Sequence, residues 1–320
     1  MVRFSFTVED LARTRFAVSP MWETVRSLLA LRDPSTAALH VPWLRSLSGR
    51  LDGLALEPAV ALIPPQGYMP DFLTPPPAGP LGDIAADLEA LRATPTRQIR
   101  NDMRLFRGQH PRARVADAWE AHPRRELGRL ATTLEAYWER AVAPSWPRIR
   151  EFLDADVAHR ARRLADAGPA ALFSELHPGV TWHGDHLDVV VPRHEAVIEL
   201  RGRGLVLMPS AFASTRPGTI DEEPWQPTVV YPARGIATLW DEGARAPEGL
   251  GRLLGATRAA VLADLGAPRS TTDVARRLAL SAANTSHHLH ALHAAGLLTR
   301  RREGRAVLYV RTPLGDGLAG

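Results

Sequence analysis

Apolar residues recur along this chain with two periods, and the change of period divides it. From Leu81 to Leu176 they return at helical spacing, with breaks at Pro95, His110-Pro111, His122-Pro123, Pro144 and Gly168-Pro169. Leu127, Leu130, Leu134, Tyr137 and Trp138 make one stripe, and Trp146, Ile149, Phe152, Leu153 and Val157 another. Arg160, Arg162 and Arg163 read as a solvated face. Ahead of this block, Val2–Val8 reads as a strand and Val8–Arg13 as the start of a helix. Ser19-Pro20 form an N-cap and N1 pair launching a helix to Leu31, with Trp22, Val25, Leu28 and Leu29 on one face and Pro34 as its stop. Thr36–Leu47 and Gly53–Leu62 read as further helices. Pro64–Pro80 reads as an extended loop, an inert surface connection in preference to a lid over a pocket. Beyond Val180 the period falls to two. TWHGDHLDVVV (181–191) reads as a hairpin turning at Gly184-Asp185; Ala196–Leu200 and Gly204–Met208 read as strands joined by Arg201-Gly202-Arg203, and Thr228–Tyr231 as another.

The last stretch changes character again. Ser270 with Asp273 three residues on forms a capping-box pattern for a helix over Thr271–Ala279 that buries Val274, Ala275 and Leu278. Leu280-Ser281 make a turn, and Ser281 caps a second helix running to Ala295, with Thr285, Leu289 and Leu292 facing inward. Asn284, Ser286, His287 and His290 then face outward. They are short hydrogen-bonding side chains suited to base edges and phosphates in a major groove. His288 falls about 100° round the helix from His287, which assigns it to packing. Gly296 ends the helix as an αL cap. Two strands, Leu297–Arg302 and Ala306–Arg311, form a wing with Arg300, Arg301, Arg302 and Arg305 around its Gly304 tip, where guanidinium groups reach phosphates or the minor groove.

The run VARRLALSAANTSHHLHALHAAGLLTRRREGRAVLYVRTPLG, with S-H-H-L, A-G-L and the hairpin at fixed separations, resembles the winged helix-turn-helix of ArsR/SmtB transcriptional regulators over about Leu250–Gly315. Ala279 stands where that family often has glycine, and Thr285 where valine is usual. Metal-sensing members carry cysteine thiolates on the first helix of the motif, whereas this chain has no cysteine, which excludes a thiol-ligated metal or redox switch. Other members place carboxylate and histidine ligands on a helix after the wing. Here Thr312–Gly320 reads as a glycine-rich tail too short for a helix that pairs subunits. Upstream, GRGLVLMPSAF and WQPTVVYPARGIATLW resemble a domain of uncharacterised function often found ahead of such winged helices in high-GC bacteria, over about residues 1–245. That resemblance implies a regulator and supplies no activity or ligand.

Charge sharpens the division. All 39 basic residues are arginine, as a GC-rich coding bias produces, so the positive charge is independent of pH and suited to bidentate phosphate contact. From Pro247 onward ten arginines face five acids, leaving 29 against 30 upstream; the positive excess sits on the proposed DNA-binding region. The expected fold class is therefore α+β: a mainly helical N-terminal domain with a small antiparallel sheet over 1–246, then a winged helix-turn-helix over 247–320. The absence of an apolar run of about 18 residues, and of a signal-peptide core at the N-terminus, points to a cytoplasmic protein without a membrane partner.

His183, Asp185, His186 and Asp188 are metal-capable side chains within six residues, although hairpin turns favour polar residues anyway, and the polar turn is the preferred reading. No cofactor is expected. All eight tryptophans precede Pro247, consistent with a packed core and dimer seam or with an apolar effector pocket. The expected function is a sequence-specific regulator, a homodimeric repressor that reads a palindrome on double-stranded DNA through helix 281–295 and wing 300–306, under small-molecule control. The expectation is not an enzyme. The alternatives are an enzyme-like N-terminal domain tethered to DNA, and a nucleoid-type structural binder.

Overall fold

A computed structural model describes residues 1–320 except 33–37, 66, 112–114, 214–215, 237–238, 241–247, 266–267, 279, 304–305 and 320. The expectations resting on Pro34, Thr36, Ala279, Gly304, Arg305 and the boundary at 246–247 lie outside the described residues. The chain forms two compact units, Met1–Leu239 and Trp240–Gly320, and its class is α+β.

In the first unit the strands are β1 (Val2–Ser5), β2 (Arg15–Phe16), β3 (Val180–Trp182), β4 (His186–Val189), β5 (Ala196–Glu199), β6 (Val206–Ser210), β7 (Gly218–Ile220) and β8 (Thr228–Pro232). Among the described residues they make two mixed sheets, ordered β3-β4-β1-β5 and β2-β6-β8-β7, where one antiparallel sheet was expected. β1 runs parallel to β5, and β6 parallel to both β2 and β8. The strands either side of Arg201-Gly202-Arg203 consequently join different sheets. Strands buried on both faces cannot show the polar alternation of a solvated hairpin, and VLMPS of β6 is buried throughout. One face of this second sheet gives Leu207, Val229 and Tyr231 to a core shared with Val2, Phe4, Leu187, Val189 and Phe173. The other gives Met208 and Val230 to Trp22.

Trp22 belongs to the helix Pro20–Ala30, capped by Ser19 as its Ser-Pro pair requires. The helix is buried on nearly every side rather than along one face, including Glu23, Thr24 and Ser27. Polar residues tolerate this because each finds a partner: Thr24 Oγ1 donates to Pro20 O at 2.7 Å, and Ser27 Oγ lies 3.0 Å from Tyr137 Oη.

The helical block keeps the breaks read from its prolines: Ile84–Ala93, Thr96–Gln109, Val115–Ala121, Pro123–Tyr137 and Trp146–Ser174. The last is kinked at Gly168, which at φ 75° and ψ −176° is outside helical space ahead of Pro169. Arg160 is not on a solvated face. It is 1% exposed, paired with buried Asp156 at 3.6 Å, and its guanidinium stands 5.5 Å from the Tyr231 ring. The helices expected over Thr36–Leu47 and Gly53–Leu62 shorten to Val41–Ser46, preceded by the turn Ala38–His40, and to Glu57–Val60. Gly53 at φ 78° cannot start a helix.

The loop 64–80 is an interior wall rather than an inert surface connection. Asp71, Phe72, Leu73 and Thr74 are buried; Phe72 N–H donates to Asp102 Oδ2 at 3.0 Å and Tyr68 N–H to Gln109 Oε1 at 2.8 Å. Gly67, at φ +92°, lies so close to His110 that a Cβ would stand 2.8 Å from the imidazole.

The second unit packs Glu248–Leu254, Ala256–Asp264, Thr271–Arg277 and Ala282–Ala294 with β9 (Arg269–Ser270), β10 (Leu298–Glu303) and β11 (Ala306–Arg311). Its core joins Val261, Leu262, Leu265, Val274, Leu289, Leu292, Leu298 and Tyr309. The wing carries a third strand that the two-residue segment Arg269–Ser270 was too short to announce: β9 pairs with β11. The tail is also more than glycine-rich chain. Pro313–Ala319 is a helix that returns Ala319 to the unit's own core, with Gly315 so close that a Cβ would overlap Leu297 O.

Candidate nucleic-acid interface

Ser281 sets the register of the exposed helix. In extended backbone geometry, its Oγ accepts from Asn284 N–H at 3.2 Å, and this cap starts Ala282–Ala294. Thr285, Leu289 and Leu292 are 0%, 0% and 1% exposed. With that stripe fixed inward, helical geometry leaves Ser281, Asn284, His287 and His290 exposed, and Ser286 half-buried at the margin. His288 is half-buried with Nδ1 enclosed; burial and then the charges of His287 and Arg258 hold its pKa low, as a packing role implies. At the other end Gly296 takes φ 73° and His293 Nδ1 lies 2.8 Å from Leu298 O, tying the helix to the wing.

On the wing, Arg300, Arg301 and Arg302 pair in register with Tyr309, Leu308 and Val307. All three arginines are exposed, and strand alternation puts Arg300 and Arg302 on the face that carries Leu298, with Arg301 on the other. The remaining described arginines nearby are held by the fold: Arg277 Nε donates to Asp264 Oδ1 at 2.8 Å, and Arg269 lies 3.5 Å from the same carboxylate. The unit thus exposes a polar helix face at Asn284, His287 and His290 and a basic wing at Arg300, Arg301 and Arg302. Arg305, expected at the wing tip, lies outside the described residues.

The His/Asp hairpin forms as its Gly184 turn requires, with His183 N–H donating to His186 O at 3.0 Å. The two imidazoles stack at 4.7 Å. Ligand atoms of His183, His186 and Asp188 lie within 4.8 Å of one another, whereas Asp185 turns aside to His186 Nδ1 at 2.6 Å. Asp188 is already engaged: Arg3 donates to both of its oxygens at 2.8 and 2.9 Å and holds its carboxyl below the usual range.

A second site escaped sequence reasoning. The first unit holds a cavity of about 380 Å³ between the helix Pro20–Ala30, the loop 64–74 and β7. Trp22, Met69, Ile220 and Val230 supply apolar wall, and Arg26, Asp71 and His194 polar wall. Burial lowers the Arg26 pKa to about 10, and the guanidinium, 6.0 Å from the Trp22 ring, has no hydrogen-bond or ion-pair partner among the described residues. Its neighbour Glu23, pushed up to about 7 by burial, spends its oxygens on Ala211 N–H and Phe212 N–H at 3.0 to 3.3 Å. Burial and then the charge of Asp102 push Asp71 well above the carboxylate range. His194 bonds Asp221 at 2.7 Å, which raises its pKa. These groups come from segments scattered between positions 22 and 230, so no spacing in the chain could have announced them.

Two family models match parts of the chain. Residues 253–301 match a helix-turn-helix domain family, and residues 86–237 match a family of unknown function, DUF5937. No curated protein and no solved structure matches the chain.

Proposed function

We propose that the chain is a sequence-specific transcriptional regulator of the ArsR/SmtB type, a cytoplasmic homodimeric repressor of a palindromic operator, with the cavity of its first unit as an effector site. The helix-turn-helix match and the winged architecture support DNA binding. The observation that carries sequence-specific readout is the exposed face of the capped helix: Asn284, His287 and His290 stand outward over a buried Thr285–Leu289–Leu292 stripe, and the wing that follows exposes Arg300 and Arg302. Amide and imidazole groups in a major groove discriminate base edges, while the wing arginines bind phosphate whatever the sequence. Two such helices in a symmetric dimer would sit about one DNA turn, roughly 34 Å, apart.

Equilibrium binding to the chain's own upstream DNA against a scrambled duplex, by fluorescence anisotropy across a salt series, tests this reading. A preference of roughly a thousandfold or more, falling steeply with salt, is the expected result. Equal affinity for both duplexes would turn the reading towards a structural DNA binder.

A second reading has its own observation. Asp71, with its raised pKa, and the His194–Asp221 pair line one cavity, as general acid–base groups do in enzymes. On the first reading the cavity binds a ligand and returns it unchanged. Mass spectrometry of a bound ligand after prolonged incubation separates the two, since a changed mass would establish catalysis.

A further inference from the structure

A buried guanidinium ordinarily has a carboxylate or several acceptors beside it, because an unpaired charge removed from water is among the least tolerable features of a protein interior. Arg26 departs from that rule in part: the residue is half-buried, and the field of Glu23 acts on its charge without a hydrogen bond. Its Nε is fully enclosed without an acceptor, and no described residue accepts a hydrogen bond from, or forms an ion pair with, its side chain. Glu23, one helical turn away, is committed to the Ala211 and Phe212 amides. The rest of Arg26 faces the cavity beside Trp22. Across the cavity Asp71 Oδ2 and Thr74 Oγ1 also lack partners among the described residues, but both atoms are enclosed behind the lining. The cavity volume, about 380 Å³, lies in the range of small-molecule sites, roughly 300–1,000 Å³.

From this geometry we infer that the cavity binds a small organic acid, an aryl or alkyl carboxylate whose anionic end pairs with Arg26. A planar carboxylate matches the guanidinium fork bidentately, and the Trp22 ring and the apolar wall take the body of the ligand. A cationic ligand is disfavoured, because the charge left without a partner is itself positive. Asp71, kept protonated by burial, adds no second anion to the lining. This ligand class rests on the reading of the cavity as an effector site.

The test uses the full chain without DNA. Arylacetates, including 4-hydroxyphenylacetate, and medium-chain fatty acids are each paired with the corresponding primary amide, and tyramine serves as the cation of similar shape. Binding is followed by calorimetry and by quenching of tryptophan fluorescence. Acids should bind at least tenfold more tightly than their amides, with tyramine weaker still. Arg26→Met should abolish that preference without lowering Tm, because it removes a half-buried charge that no hydrogen bond or ion pair to a described residue holds; a purely structural arginine would lower Tm on removal. Arg26→Lys, which keeps the charge but loses the fork, should fall between. Amides binding as well as acids, no member of the panel binding, or Arg26→Met retaining the preference would each overturn the inference. The acid that binds is then added to the anisotropy assay. If it leaves operator affinity unmoved, the effector reading fails while the ligand class stands; operator binding by a protein that ignores the acids fails the ligand class alone.

Discussion

The two units place their polar groups in opposite positions. In the C-terminal unit the described buried polar residues are Asp264 and Thr285, and Asn284, His287, His290, Arg300 and Arg302 stand outside an apolar core. The N-terminal unit encloses Glu23, Asp71, Asp102, Asp156 and Arg160, and Arg26 lines a cavity open to solvent. A surface that must meet a charged polymer is assembled by local rules, a cap and a helical stripe that turn every other residue outward. An internal site needs polar groups delivered from distant segments, with the rest of the fold stabilising them. The first arrangement confines buried charge to Asp264 with Arg277 and Arg269; the second makes stability depend on charge throughout.

That dependence is strongest at Arg160. Arg160→Ala should strip buried Asp156 of its cation and Tyr231 of the guanidinium above its ring, destabilising the first unit by about 3–5 kcal/mol. Denaturant unfolding followed by tryptophan fluorescence reports this unit, because seven of the eight tryptophans lie within Met1–Leu239. A loss below about 1 kcal/mol, the ordinary worth of a surface pair, would show that the pair is no internal strut.

Next in size is a pH effect from Glu23. Its folded pKa of about 7 lies above the ordinary 4.5, so the folded chain keeps a proton that the unfolded chain has released. The corresponding stability is complete below about pH 4.5 and is lost as pH rises through 7. Asp87, raised to about 7, and Asp102, raised to about 6, act in the same direction, both through burial. Glu23→Gln should flatten the decline between pH 5 and 8, by about 3 kcal/mol at most. Thermal unfolding of both proteins across that range reads the difference, and parallel curves would place the Glu23 proton elsewhere.

Legibility in the sequence follows the same contrast. Ser270 with Asp273, Ser281 with Thr285–Leu289–Leu292, and Gly296 are short-range statements, and the capping box, both helices and the φ 73° cap stand where those residues put them. The prolines and Gly168-Pro169 likewise marked the helix breaks. The fold of β5 and β6 into different sheets was hidden, because a run such as VLMPS states that a strand is buried and not which neighbour it pairs with. Arg160 and the loop 64–80 misled for a related reason. Arginine and proline belong on surfaces by composition, and their burial depends on Asp156, Tyr231, Asp102 and Gln109, which no local pattern connects to them.

On the outer face the expected effects are on binding. Asn284→Ala should reduce affinity for the operator by about 1–3 kcal/mol, roughly ten- to a hundredfold, with the salt dependence unchanged, because an amide on a base edge displaces no counterions. Replacing Arg300 with Gln should weaken operator and scrambled duplex alike and flatten the salt slope by about one unit. Anisotropy titrations at several salt concentrations separate the two signatures. If Asn284→Ala behaves as Arg300→Gln does, the helix touches only backbone.

The smallest effect compares two caps. Ser270 and Ser281 each accept a hydrogen bond from the amide three residues on, at 3.2 Å, and loss of either hydroxyl should destabilise the second unit by about 1 kcal/mol. Ser270 also donates to Asp273 Oδ2 at 2.6 Å and holds that carboxyl below its usual range, yet its helix carries none of the proposed base contacts. Ser270→Ala should therefore lower the hydrogen-exchange protection of Thr271–Arg277 and leave operator affinity of the folded protein nearly unchanged. Ser281 fixes the first turn from which Asn284 projects. Ser281→Ala should carry the same stability loss and a several-fold loss of operator affinity besides. Equal binding by the two variants would mean that the cap holds the helix together without aiming it, and that the wing alone positions the unit on DNA.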